Sequence, residues 1–198
     1  MNEQLDQLNQ WLTGMENKHP AEWDLLPDIG LYMDQVQTYI ERQLTLYRRD
    51  DNDHLLTPAM INNYIKDNLI PRAETKKYNP VHLALLIMIG TLKQVMSIPT
   101  LTQLLSACRD SAEVEALYGH FLQIQRESLR ENAGQVLGET QALTGGEETG
   151  FDAASEAALR NIALELGIEA RTRILIAEKI ISLLPDKRKE KEKEKEKK

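Results

Sequence analysis

The chain has a single cysteine, Cys108, among 198 residues. That excludes an intramolecular disulfide and any site built from several thiolates. Cys108 itself reads as a small core residue at the end of an apolar helix. Phe, Tyr and Trp make up only 5% of the residues, and β-branched runs are few, which argues against an all-β sandwich or barrel. Long apolar runs are missing too: the longest, residues 83–90, falls far short of the ~20 residues of a membrane span. Met1 is followed by neither the basic stretch nor the apolar core of a secretory signal. A soluble, cytoplasmic protein with no membrane partner is expected. No P-loop, dinucleotide fingerprint or nucleophile elbow occurs, so no enzymatic activity and no cofactor are expected. His19, His54, His82 and His120 show no paired spacing for a metal, and His82, just after a helix-start proline, reads as a surface or second-turn residue and not a ligand. The acidic run at residues 50–53 lacks the glycine and the terminal glutamate of a calcium loop.

What the chain does have is helical periodicity almost throughout. Leu5, Leu8 and Leu12 recur at a spacing of 3–4, and Met33, Val36, Ile40 and Leu44 do the same. Pro20 suits the first position of a short helix carrying Trp23, Leu25 and Leu26. Thr57-Pro58 and Asn79-Pro80 each put a capping side chain before proline. The cap oxygen accepts an orphan backbone N–H, and proline loses nothing at a position whose N–H has no partner. Ser97-Ile98-Pro99-Thr100 marks a third start. These signals predict helices near 57–67, 80–95 and 100–108, with Asn68 as a left-handed residue after the first. Asp110 with Glu113 resembles a capping box opening a helix to about residue 137. A flexible glycine-rich linker is expected at 143–150. Asp152 would cap a last helical run, with Gly167 as a break or bend in it and Pro185 at its end.

Charge is segregated along the chain. The net charge is −7, yet residues 57–99 are net positive, with Lys66, Arg72, Lys76, Lys77 and Lys93 against Asp67 and Glu74. The blocks before and after are acidic. Residues 187–198 are nearly pure Lys and Glu, with nothing to bury, and read as a disordered tail. Local sign decides contact with a polyanion more than the total does.

Residues 57–105 carry the functional information. Ile61, Ile65 and Leu69 form one stripe, leaving Asn62, Asn63 and Lys66 on other faces. Asparagine can read an adenine edge, and Lys and Arg neutralise phosphates.

Asn63-Tyr64-Ile65-Lys66-Asp67-Asn68-Leu69-Ile70-Pro71 resembles the recognition-helix end of MerR-type winged helix-turn-helix proteins. Their pattern there is Tyr-Tyr-Glu-x-x-Gly-Leu-Leu/Ile-x-Pro, followed by an arginine and a Gly-Tyr-Arg-x-Tyr wing. Tyr64, Leu69, Ile70, Pro71 and Arg72 match it, with Asn68 in place of the turn glycine. Pro80-Val81-His82-Leu83 occupies the place of a Glu-Asp-Leu helix start, and Ser97-Ile98-Pro99-Thr100-Leu101 resembles a Phe-Ser-Leu-x-Glu-Ile helix. Asn62 replaces an arginine, and the loop at 73–78 is shorter than a full wing and lacks its glycine. The run from 56 to 104 is also similar to an uncharacterised family of small Gram-positive bacterial proteins described as MerR-like.

Helical periodicity almost throughout and three proline-marked helix starts predict an all-α fold of about six to eight helices, and the resemblance implies its arrangement. A MerR-like helix-turn-helix core at 57–108 carries a short basic wing-like loop, with at most a tiny hairpin at 72–78. Residues 1–56 form an N-terminal helical segment whose 31–44 helix packs on the core, and residues 109–186 form additional C-terminal helices. It implies a DNA-binding transcriptional regulator contacting duplex DNA through Thr57, Asn62, Asn63, Tyr64, Lys66, Arg72, Lys76, Lys77 and Tyr78. The alternative is a protein-interaction adaptor that retains the fold without DNA binding. The C-terminal stripes are longer than a small winged helix needs for its own core. A homodimer through Val114, Phe121, Ile174, Ile181 and Leu184 is therefore expected, since paired sites bind at high effective concentration.

Overall fold

One helix of this chain is apolar on every side, and such a helix must be buried. It is Pro80–Leu92, in which nine consecutive residues from His82 to Gly90 are buried. The computed structural model describes residues 3–15, 17–48, 50, 53–105, 110–144 and 153–185. Among them the chain forms seven α-helices: α1 (Glu3–Met15), α2 (Met33–Gln43), α3 (Pro58–Lys66), α4 (Pro80–Leu92), α5 (Ile98–Leu105), α6 (Ser111–Thr144) and α7 (Ala153–Ile181). Extended structure among the described residues is confined to two isolated bridges, Leu31 with Tyr78 and Glu74 with Lys77. The fold is all-helical, as the periodicity predicts, and no described helix is long and apolar enough to cross a membrane.

The chain divides into two compact units. One comprises Pro20–Leu122 and the segment from Ile174 onward. Its core is built around α4: Val36 and Ile40 of α2, Ile61 and Tyr64 of α3, Leu101 and Leu105 of α5, and Val114, Tyr118 and Leu122 of α6 are all buried in one cluster. Gly90 lets a neighbour come close, because a Cβ there would collide with Leu44 Cδ1. Tyr118 is fully buried, donates its hydroxyl to the Ala21 carbonyl at 2.8 Å, and contacts the rings of Trp23 and Phe121. After α7, the Leu184 carbonyl accepts from Gln103 Nε2 at 2.8 Å.

The other unit comprises Met1–His19 and Gln123–Arg173. Leu12, Ala133 and Val136 form its core, with Leu8, Met15, Leu137, Ile162 and Leu166 packed against them. Thr140 is buried and donates to Asn9 Oδ1 at 2.6 Å, joining α6 to α1.

Several local expectations change. The units do not divide at 56 or 108. Pro20 opens no helix; the chain makes a short 3₁₀ turn at Trp23–Leu25. α6 continues through Leu143 and Thr144, and the rest of the expected linker lies outside the described residues, as do Cys108, Asp152 and the tail at 187–198. Gly167 does not interrupt α7, because a single glycine lowers helix stability by only about 1 kcal/mol.

Candidate nucleic-acid interface

α3 begins where the sequence places it. Thr57 caps it, accepting from the Met60 amide at 3.3 Å, with Pro58 in the first turn. The helix buries Ile61 and Tyr64 and exposes Asn62, Asn63 and Lys66. It ends in a Schellman pattern: the Leu69 amide donates to Tyr64 O at 2.8 Å and the Asn68 amide to Ile65 O at 3.1 Å. Asn68 sits at φ 54°, the left-handed conformation expected of it. Leu69 and Ile70 then enter the core.

Pro71 leads into the basic loop. Leu31 and Tyr78 exchange both backbone hydrogen bonds at 2.9 Å, closing its base. At the tip Lys77 N donates to Glu74 O at 2.8 Å, and Thr75 and Lys76 both take positive φ, 49° and 62°. This is the backbone of a type I′ hairpin turn, normally filled by Asn and Gly. A β-branched threonine there is strained. Lys77 Nζ stands 5.9 Å from the centroid of the Tyr32 ring, within cation–π range. Gly30 permits this closeness, since a Cβ there would lie 2.7 Å from Lys77 Cβ.

Lys66, Arg72, Lys76 and Lys77 are exposed, and no ion pair among the described residues involves them. Arg72 and Lys77 are brought together on one shallow recess of about 480 Å³, with Glu74, Thr75, Asn79, His82 and Asp110 also on its walls. Asn62, Asn63 and Lys66 do not line it and remain on the outer face of α3. Lys93, the fifth cation of the basic block, is partly buried against Met60 Sδ at 3.8 Å. Burial pulls its ammonium below the usual lysine range, opposed by Asp53.

Two of the expected contacts are core residues. Tyr64 and Tyr78 are about 5% exposed or less, and burial pushes both phenols up. Their spacing in the sequence shows an aromatic position but not which way the ring turns. His82 is likewise buried rather than at the surface. It is the third residue of α4 and closes a capping box with Asn79, its amide donating to Asn79 Oδ1 at 3.3 Å and its Nδ1 accepting from the Asn79 amide at 3.2 Å. Its ring meets Tyr78 edge-on at 5.4 Å. Desolvation lowers its pKa, outweighing the opposing pull of the Arg72 and Pro71 backbone and of Glu74. Among the described residues no group of His, Cys, Asp or Glu side chains could hold a metal ion. Sequence reasoning missed Thr75 and Tyr32. Nothing in a Glu-Thr-Lys-Lys run announces a I′ turn, and Tyr32 matters only because Lys77 lies over it.

The expected dimer contacts are largely spent within one chain. Val114 and Ile181 are 2% and 5% exposed. Phe121 is partly buried and stacked on Tyr118 at 6.0 Å, and Ile174 is partly buried. Leu184, 40% exposed, is the member of the set with free surface. The stripe on the first turns of α6 thus completes the core around α4.

A family model described as a domain of unknown function (DUF1836) matches residues 21–121, which is nearly the Pro20–Leu122 segment of the α4-centred unit. No curated protein and no solved structure matches the chain.

Proposed function

We propose that this chain, which belongs to the family defined by that domain of unknown function (DUF1836), is a DNA-binding transcriptional regulator of the MerR-like winged-helix type. In this reading α2 and α3 are the two helices of the helix-turn-helix, joined by a long connection instead of a tight turn. The Glu74–Lys77 turn is the wing. Asn62 and Asn63 approach base edges, and Lys66, Arg72, Lys76 and Lys77 approach phosphates. Thr57 orients α3 as its cap, while Tyr64 and Tyr78 hold the helix and the wing in place from within the core. Neither catalysis nor a cofactor is part of this reading.

The observation that supports it best is the set of exposed cations with no acidic partner among the described residues, one of them at the tip of a strained turn. Strain in a non-glycine turn persists where the surroundings over-determine it, and such places cluster at functional sites. An exposed basic patch on an acidic chain also confines contact with a polyanion to that patch.

Fluorescence anisotropy with random-sequence duplex DNA across a salt series tests the proposal. Replacing Lys76 and Lys77 with Ala is expected to weaken binding to all sequences. The log–log salt slope should fall by about 2, roughly one unit per lost phosphate contact. Unchanged affinity would favour the adaptor alternative. The mixed lining of the recess supports that alternative, because Glu74 and Asp110 beside Arg72 and Lys77 suit a protein surface of both signs better than phosphate.

A further inference from the structure

We propose that the recess beside the basic turn binds a free amino acid, its carboxylate taken by Arg72 and Lys77 and its ammonium by Glu74 and Asp110. The recess, of about 480 Å³, lies wholly within the α4-centred unit. Gly30, the basic turn, the start of α4 and the start of α6 form its walls. Its size is in the range of small-molecule sites, roughly 300–1,000 Å³. Four charged side chains line it, two of each sign, and among the described residues no ion pair joins any two of them.

Opposite charges in one hollow attract each other, but here local structure holds them apart. Asp110 is committed to the cap of α6, its Oδ1 accepting from the Glu113 amide at 2.9 Å. Lys77 Nζ stands 5.9 Å from the centroid of the Tyr32 ring. Glu74 opens the strained turn, its carbonyl tied to the Lys77 amide at 2.8 Å. Its carboxylate bears on the His82 ring of the same recess, favouring the protonated imidazole. The pairing these charges lack within the chain is left for a ligand, and groups already in place cost little to order on binding. The signs identify the occupant. Phosphate or a simple carboxylate would gain Arg72 and Lys77 but meet two like charges at Glu74 and Asp110. A simple amine would meet two cations. A molecule carrying carboxylate and ammonium together satisfies both pairs, and the guanidinium of Arg72 offers carboxylate a planar fork. Pro71 and Val81, also on the walls, offer apolar contact to its side chain. The proposal stands independently of DNA binding, and its test contains no DNA.

Saturation-transfer NMR of the full chain with an equimolar mixture of the standard α-amino acids is expected to show at least one that binds. Calorimetry then gives its affinity. Its N-acetyl and carboxamide derivatives, which each lose one charge, should bind at least about tenfold more weakly, and inorganic phosphate likewise. Asp110→Asn keeps an equally good cap on α6 while removing the charge, and Glu74→Gln removes a charge at constant shape. Each should weaken the free amino acid by at least about fivefold. Neither should weaken the N-acetyl derivative, which has no ammonium to lose. Circular dichroism confirms that both variants keep their helices. The proposal is overturned if the native chain binds no amino acid, or if phosphate or the N-acetyl derivative binds as tightly as the free amino acid. Unchanged affinity in either variant, or an equal loss for the N-acetyl derivative, would overturn it too.

Discussion

α4 and α7 are both rich in leucine and isoleucine, yet they end in opposite situations. α4 is apolar all round and lies inside the unit that the family model covers. α7 mixes apolar with charged residues, and leaves Leu164, Ile168, Leu175, Ile176 and Ile180 more than half exposed. A helix with no polar face has no stable position except a core. A helix with charges distributed around it can stay at the surface. Apolar content alone therefore does not distinguish a buried helix from an exposed one; the placement of the charges does.

The largest expected effect comes from truncating the buried helix. Leu86→Ala in α4 should cost about 2–5 kcal/mol in chemical denaturation, as for a fully buried leucine whose cavity cannot collapse. Ile168→Ala in α7, at a position 62% exposed, should change stability by less than about 0.5 kcal/mol. Equal effects would mean that burial does not separate the two helices.

Next is Gly90→Ala. Ordinarily this change favours a helix, but the added methyl meets the Cδ1 of Leu44, a fully buried side chain that must shift to accept it. A loss of about 1–3 kcal/mol is expected by the same measurement.

A smaller effect, of opposite sign, is expected at the basic turn. Thr75→Asn puts a residue tolerant of positive φ where threonine is strained. Stability should rise by about 0.5–1 kcal/mol, with no change in charge. DNA affinity should be retained, because the variant leaves Lys76 and Lys77 in place.

The last prediction is a pH dependence. Burial holds the native pKa of His82 below its ordinary value of 6.5, so the native state favours the neutral ring. The stability this confers is fully present above pH 6.5. It is lost as the pH falls below that value, and the loss levels off once the lower native pKa is passed. Denaturation midpoints between pH 7 and pH 5 should fall for the native chain. They should fall less for His82→Gln, which keeps a capping-box side chain at the third helix position.

Local chemistry was legible in the residues themselves. The caps at Thr57 and Asn79, the proline after each, the left-handed Asn68 and the exposed Asn62, Asn63 and Lys66 all follow from interactions spanning five residues or fewer. Those interactions are complete within the segment that encodes them, so no other part of the chain can alter them. The fold class was legible for the same reason, since helical periodicity is a local signal.

What lay between distant segments had to come from the tertiary structure. Tyr64, Tyr78 and His82 carry polar atoms, and whether such a side chain faces water or a core depends on what packs over it. Here that is the unit around α4. Val114 and Ile181 likewise read as free stripe positions until the rest of the chain covers them. The hairpin tip is the clearest instance: Thr75 and Lys76 have no intrinsic preference for positive φ, and they adopt it because Leu31, far away in the sequence, pairs with Tyr78 and closes the loop beneath them. A local preference costs a fraction of a kcal/mol to override, whereas leaving the apolar surface of α4 in water costs several, and so the packing decided.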